Sequence, residues 1–134
     1  MPEVDINLWA VLVAALFNMV VGAFWYSKRF FGKEWAKLVG RKMEDMSGGG
    51  KGYAVAIVGA LIQAYILAHF VQYTGATSLW QGMVTGFWLW LGFVAIVAAV
   101  HLVFEGRSWA LWKINTGYFL VVLVVNGALL ASWR

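Results

Sequence analysis

The chain has 134 residues, of which 63% are hydrophobic and 12% are charged, and its formal net charge is +4. A soluble domain averages about 45–50% apolar and about 25% charged residues, so this composition excludes an ordinary water-soluble domain. Cysteine is absent, which excludes disulfides, thiolate metal sites and a thiol nucleophile.

Four apolar segments are long enough to cross a bilayer, which takes about 20 residues at roughly 1.5 Å rise each. None contains an acidic residue well inside it, and the only proline is Pro2. Because backbone polar groups in lipid must be satisfied within the chain, these segments are predicted to be helices. The predicted fold class is therefore all-α, an integral-membrane four-helix bundle in one domain over residues 1–134. The predicted spans are residues 6–26, 52–73, 79–104 and 110–133.

The first predicted span differs from a secretion signal, although it lies at the start of the sequence. A signal peptide begins with basic residues and ends at a small-residue cleavage site. This chain begins with Glu3 and Asp5, and its first basic residue is Lys28. We therefore expect the first span to be a retained helix.

Basic residues are concentrated in two of the three connections between spans. Seven of the ten lie in residues 27–51, Arg107 and Lys113 lie by the turn at 105–109, and Arg134 lies on the other side. Since basic loops stay inside the cell, we expect loops 27–51 and 105–109 to be cytoplasmic and both termini to be outside. This topology signal, with attraction of Lys33 and Arg107 to anionic lipid, is favoured over nucleic-acid binding.

The long connection between the first two spans has features of its own. A short amphipathic helix is predicted at about residues 31–39, lying along the interface with Trp35 and Leu38 dipping into it. The glycines at 48–50 predict a flexible hinge.

A seven-residue motif occurs twice, as F-F-G-K-E-W-A at 30–36 and as F-E-G-R-S-W-A at 104–110. Each copy follows a span that runs toward the basic loops, which predicts two tandem hairpins related as a parallel internal repeat. The alternative is that the same sequence, favourable where a helix leaves the membrane, arose twice by chance. In either case Gly32 and Gly106 are expected to end a helix in the left-handed conformation.

Small residues recur at helical spacing on every span, including Gly82-x-x-x-Gly86 in the third and Gly127 in the fourth. Such residues let helix backbones approach closely in lipid. Packing within the chain is expected for most of them, and a seam between copies of the chain is the alternative for the others. A homo-oligomer is therefore expected.

Polar residues within the apolar spans are the candidate binding residues, because such side chains usually point inward and often carry function. Their structural alternative is an interhelical hydrogen bond, or, for Glu105, an ion pair with Arg107 or Lys113. His69 and His101 are roughly 25 Å apart along the spans at about 1.5 Å per residue, too far to share one metal or haem within a protomer. No metal, cofactor or catalytic residue is predicted. The midplane candidates are Asn18, Gln63 and Trp90. The candidates of the inner polar cluster are Tyr26, His101, Glu105, Arg107, Asn115 and Tyr118.

Several short motifs together resemble a bacterial membrane family catalogued as domain of unknown function 1761. They are N-x-x-x-G-x-x-W-Y-S at 18–27, F-G-K-x-W at 31–35, A-H-F at 68–70, G-F-W-L-W-L-G-F at 86–93, F-E-G-R at 104–107 and N-x-G-Y at 115–118. The resemblance covers essentially the whole chain and implies a four-span protein of the bacterial inner (plasma) membrane. It implies no activity. The chain departs from the family pattern at Lys28 and Arg29, where less charge is expected.

Three functions fit these observations. The first is binding and transport of a small solute or ion by an oligomer, based on the apparent repeat and the polar residues within the spans. The second is an interaction or accessory subunit of a membrane complex. The third is a membrane enzyme acting on a lipid, with His101 and Glu105 as acid and base, but no nucleophile, phosphate-loop or dinucleotide motif supports it.

Overall fold

The structure, a computed structural model, describes residues 3–42 and 49–134. These residues form helices without any strand, which confirms the predicted all-α class. Four helical segments are long and apolar enough to cross a membrane, so the chain is a multi-pass membrane protein. The helices are α1 (Leu8–Trp25), α2 (Gly32–Val39), α3 (Gly49–Tyr73), α4 (Leu79–Trp90), α5 (Ile96–Glu105) and α6 (Trp109–Ser132). A π-helical turn, Leu91–Ala95, joins α4 to α5, and together they form one continuous segment that we call span three.

The helix ends follow local sequence signals. The side chain of Asn7 accepts hydrogen bonds from the backbone amides of Trp9 and Ala10 and so caps the start of α1. Ser78 and Ser108 cap α4 and α6 in the same way. Such caps satisfy donors that the first turn of a helix leaves free. The observed helices therefore begin and end within a few residues of the predicted spans.

The bundle has two ends, which we name by their charge and their chain termini. The basic end carries residues 26–42 and 106–108. The terminal end carries residues 3–7, residues 133–134 and the turn at 74–78. At the terminal end, the Gln72 side chain donates to the Asp5 carbonyl oxygen at 2.7 Å, and Arg134 donates to the Ala76 carbonyl oxygen.

α6 is the central helix of the bundle and packs on α1, α3 and span three. In its most apolar 18-residue window, 56% of the residues are buried, against 28% for α1 and α3 and 11% for span three. Its contact with α4 is backbone to backbone. A β-carbon added at Gly82 would collide with the main-chain oxygen of Gly127, and one at Gly86 would collide with that of Leu123.

The two copies of the repeated motif have different local structures. Gly106 has φ +66° and ends α5 in the left-handed conformation, as predicted. The same prediction for Gly32 is wrong, because Gly32 begins α2 and the left-handed glycine there is Gly40, which ends α2. A β-carbon at Gly32 would collide with the main-chain oxygen of Tyr26. Gly32 is thus required for close packing, and the internal repeat stays a prediction.

The connection between α1 and α3 is described as far as Lys42. The predicted amphipathic helix is present as α2, with Lys33 and Lys37 exposed and Ala36 buried. Of the predicted glycine hinge at 48–50, residue 48 lies outside the described residues, and residues 49 and 50 begin α3.

Candidate functional site: a polar column between the spans

Three spans meet at mid-depth through polar side chains. The Asn18 amide on α1 donates to Oε1 of Gln63 on α3 at 3.1 Å. The hydroxyl of Tyr118 on α6 donates to the Asn18 carbonyl oxygen at 3.0 Å and also bonds to Asn18 Oδ1. Asn18 is 6% exposed. These bonds hold α1, α3 and α6 in one register.

A glycine one turn away makes room for this contact. Gly22 follows Asn18 by four residues and therefore lies on the same face of α1. A β-carbon at Gly22 would lie 3.0 Å from the Tyr118 hydroxyl oxygen and 3.4 Å from two ring carbons. The N-x-x-x-G spacing thus combines a hydrogen-bonding side chain with the space that its aromatic partner requires.

The polar contacts continue toward the basic end. The ring of Tyr26 meets that of Tyr118 edge-on, with centroids 5.7 Å apart, and the Tyr26 hydroxyl donates to Asn115 Oδ1 at 2.8 Å. Trp35 on α2 covers Tyr26 with a centroid distance of 5.1 Å. We call the connected set Gln63, Asn18, Tyr118, Tyr26 and Asn115 the polar column.

Tyr26 lies just beyond the last residue of α1. Burial, and then the neighbouring Tyr118, raises the pKa of Tyr26 above its ordinary value. Because removal of water disfavours a phenolate, Tyr26 stays a neutral hydrogen-bond donor at physiological pH.

Three tryptophans donate hydrogen bonds to main-chain carbonyls of other helical segments. The indole N–H of Trp25 donates to Ile114 at 2.8 Å, and that of Trp90 donates to Thr116 at 2.7 Å. In the opposite direction, Trp112 on α6 donates to Ala95 at the π-helical turn, at 2.9 Å. A buried indole N–H needs an acceptor. One of these bonds joins α1 to α6, and the other two join span three to α6.

The structure connects members of the predicted midplane set with members of the predicted inner polar cluster. Asn18 and Gln63 are joined to Tyr26, Asn115 and Tyr118 of the inner set. Trp90 instead donates to the Thr116 main-chain carbonyl on α6.

The three other predicted residues of the inner set lie apart from the column. His101, Glu105 and Arg107 are exposed at the basic end of span three. Arg107 Nε donates to Glu105 Oε2 at 3.1 Å, which is the ion pair considered as the structural alternative. Both side chains are about half exposed, and such pairs contribute little to stability.

Sequence reasoning missed several residues that the structure makes important. Trp25, Trp112 and Thr116 belong to the indole–carbonyl contacts, and Asn126 donates to the Ala14 carbonyl oxygen at 3.0 Å while being 2% exposed. Asn126 is the only polar side chain between residues 119 and 131, and an isolated amide in an apolar helix was a usable signal. Its Oδ1 and the Trp35 indole nitrogen are buried without a hydrogen-bond partner among the described residues.

The chemistry of the column is that of neutral amides and phenols that bond to one another. Such groups hold helices in register and recognise polar ligands, but they provide no strong base or nucleophile. Within residues 3–42 and 49–134, no group of three or more His, Cys, Asp and Glu side chains is placed to hold a metal ion.

Comparison with known proteins gives one match. The family model described as "Protein of unknown function (DUF1761)" matches residues 9–131. Neither the comparison with curated proteins nor that with solved structures found a match. The matched range contains the whole polar column and all three tryptophans that bond to carbonyls, and the description carries no activity.

Proposed function

The chain belongs to the family described as Protein of unknown function (DUF1761), and we propose that it is an assembly or accessory subunit of a membrane complex, with span three as its docking element. The observation that carries this proposal is the unequal burial of the spans. Only 11% of the most apolar window of span three is buried, whereas 56% of that of α6 is buried.

The exposure is greatest in the half of span three near the basic end. From the start of the π-helical turn at Leu91 to Glu105, only Ala95 and Leu102 are buried. Phe93 is 74% exposed and Phe104 is 87% exposed. Among residues 3–42 and 49–134, this half-helix packs mainly on α6, and most of its other side chains are exposed.

Apolar exposure alone does not separate a partner from lipid, because lipid tails are as apolar as the side chains. The glycines support a partner. Each of the glycines at 22, 82, 86, 117 and 127 has a neighbouring atom within 4 Å of an added β-carbon, whereas Gly59 on α3 and Gly92 on span three have none. A glycine in a helix interior costs about 1 kcal/mol relative to alanine. At Gly92 close approach by a segment from another chain offsets that cost.

The orientation belongs to the same proposal. The basic end faces the cytoplasm and the terminal end faces outward across the plasma membrane, because basic connections are retained inside. Exposed Lys33 and Arg107 then lie at the level of anionic lipid headgroups. A Lys37→Cys variant should react with an impermeant maleimide only after the inner face is opened. Labelling in intact cells would contradict this orientation.

Photo-crosslinking in native membranes tests the docking role. A photoreactive residue at Val100, which is 51% exposed on α5, should form adducts with protein. The control position is Leu16, which is 61% exposed on α1 and should react with lipid. Protein adducts of equal yield at both positions, or adducts with lipid alone at Val100, would overturn the proposal.

Solute binding and transport is the second candidate, and one observation favours it. The polar column extends from mid-depth to the basic end, where a permeating molecule would need polar contacts. If the column carries a solute, purified protein in liposomes should show flux that Asn18→Ala abolishes and the exposed control Leu16→Ala preserves. Absence of flux in the wild-type protein across a broad solute and proton screen would remove this candidate.

A further inference from the structure

An apolar groove lies between α1 and α3 in the terminal-end half of the bundle. We propose that this groove binds a neutral long-chain lipid with a hydroxyl head group, and that His69 and Tyr65 on α3 hold the hydroxyl. The groove is formed by other helices than span three, so this inference does not depend on the docking role.

The groove has the volume of a small-molecule site and the length of one lipid leaflet. Its volume is about 400 Å³, within the range of about 300–1,000 Å³ that is usual for ligand pockets. Val11 is 5% exposed, and the other lining residues are 36–61% exposed. Leu61 lies 12 residues before the end of α3 at Tyr73, which is about 18 Å at roughly 1.5 Å per residue. Half of the hydrocarbon core is about 15 Å thick. The groove is lined by Leu8, Val11 and Leu12 of α1 and by Leu61, Ile62 and Tyr65 of α3.

Two polar groups without a partner lie beside the groove. The His69 ring contacts that of Tyr65, with centroids 4.6 Å apart, and its Nδ1 lies 2.8 Å from the Tyr65 carbonyl oxygen. Because a carbonyl oxygen only accepts, Nδ1 carries the proton, and Nε2 of the neutral ring is left as an acceptor. Within residues 3–42 and 49–134, neither Nε2 nor the Tyr65 hydroxyl forms a hydrogen bond.

These two groups point into the bilayer instead of toward its surface. Helical side chains lean toward the helix N-terminus, and the N-terminus of α3 lies at the basic end. The bond from Nδ1 accordingly places the His69 ring over the preceding turn, deeper in the bilayer. Residues of an interfacial aromatic belt instead extend their polar tips toward water. Since an unpaired polar group in hydrocarbon is costly, a molecule within the bilayer is the partner that these groups require.

The chemistry of the two groups selects the head of the lipid. A hydroxyl donates one hydrogen bond and accepts another, so it can donate to His69 Nε2 and accept from the Tyr65 hydroxyl. Charge disfavours a phosphate head. Among the described residues, the charged side chains of the terminal end are those of Glu3, Asp5 and Arg134, and Arg134 donates to a main-chain carbonyl. An anionic head would therefore meet no net positive charge there.

Photolabelling of the purified full-length chain in bicelles of neutral phospholipid tests the site. The probe is a long-chain alcohol with a photoreactive diazirine in its chain, and the matched probe is its methyl ether, which cannot donate a hydrogen bond. We expect labelling on the α1 and α3 residues of the groove, and about tenfold weaker binding of the ether because it leaves Nε2 unpaired. Equal binding of the two probes would overturn the head assignment. Labelling spread evenly over the exposed faces of all spans would overturn the site.

Variants separate recognition of the head from recognition of the chain. In His69→Phe the alcohol and the ether should bind alike, whereas the control His101→Phe, at an exposed histidine of span three, should keep the difference. Ile62→Trp fills the groove and should abolish labelling by both probes. Its control is Ile66→Trp, at an isoleucine 47% exposed on α3 outside the groove.

Two results would contradict the assignment. One is an unchanged preference for the alcohol in His69→Phe. The other is binding of a probe with a phosphate in place of the hydroxyl as tightly as the alcohol. If a variant does not accumulate in membranes, the comparison of the three probes on the wild-type chain still decides the proposal.

Discussion

The half of the bundle near the terminal end and the half near the basic end are held together differently. The buried residues of α3 all lie between Ala60 and Val71, in its terminal-end half, where α4 meets α6 through Gly82 and Gly86. Toward the basic end, residues 49–59 of α3 have no buried member, and α5 buries only Leu102.

The difference shows how packing in lipid depends on residue size and polarity. Small residues bring backbones together in the terminal-end half and leave little room for anything else. In the basic-end half, amides, phenols and indoles join α1 to α6, and Trp112 joins α6 to span three, while α3 and α5 keep free faces. The terminal-end half is therefore held by close backbone packing, and the basic-end half by hydrogen bonds between side chains and between side chains and main chain.

The largest expected effect comes from filling the glycine contact in the terminal-end half. Gly82→Leu places a side chain against the main chain of Gly127, which cannot move without separating α4 from α6. We expect a loss of about 3 kcal/mol or more in the free energy of unfolding, measured in lipid bicelles. Gly92→Leu, the matched control, faces open space and should leave unfolding unchanged in the monomer. Equal losses in both variants would contradict the comparison.

A smaller effect is expected from removing one hydroxyl from the polar column. Tyr118→Phe leaves Asn18 without its phenol partner in a site with little access to water. The free energy of unfolding should fall by about 1–3 kcal/mol. Tyr65→Phe, at a tyrosine 43% exposed on α3, is the control and should be neutral. A neutral Tyr118→Phe would show that the column does not hold the basic-end half.

A single indole bond should contribute less. Trp90→Phe keeps most of the ring but removes the donor to the Thr116 carbonyl, so we expect a loss of about 1 kcal/mol. The adjacent Trp88, which is 62% exposed, gives the control Trp88→Phe. Hydrogen exchange of the α6 amides near Thr116 should increase in Trp90→Phe alone. An increase in both variants would assign the effect to ring packing.

The smallest effect is expected at the surface ion pair. Both side chains of the Glu105–Arg107 pair are about half exposed, and exposed pairs contribute about 0–1 kcal/mol. Glu105→Gln should therefore leave the free energy of unfolding within error of wild type. A loss as large as that of Tyr118→Phe would contradict the exposure of the pair, because it would require the two side chains to be shielded from solvent.

Prediction from sequence succeeded where the signal is local and failed where it depends on a neighbour. The four apolar runs and Gly106 specify spans and the end of one helix without knowledge of the rest of the chain. Gly32 matches Gly106 within the repeated motif, yet it packs against the backbone of Tyr26 instead of ending a helix. The difference comes from the turn that follows α1, which has no counterpart after α5.

For the candidate site, the depth of each residue along its span could be predicted from the sequence, but the face of the helix on which it lies could not. Depth along a span can be counted from sequence, so Asn18 and Gln63 were placed at one level and were found bonded. The sequence does not show which face of a helix points into the bundle where the helix is apolar on every side. For that reason His101 was grouped with Asn115 and Tyr118, although it faces outward.

By itself, the sequence determined the number of spans, their approximate ends and the concentration of charge at one end, because hydropathy and capping act over a few residues. Only the tertiary structure decided that α6 is central, that a π-helical turn divides span three and that five polar residues form one column. These features depend on how closely two backbones approach. In lipid, glycines that pack against the main chain of a facing helix set that distance. The sequence of one helix does not specify which helix its glycines will face.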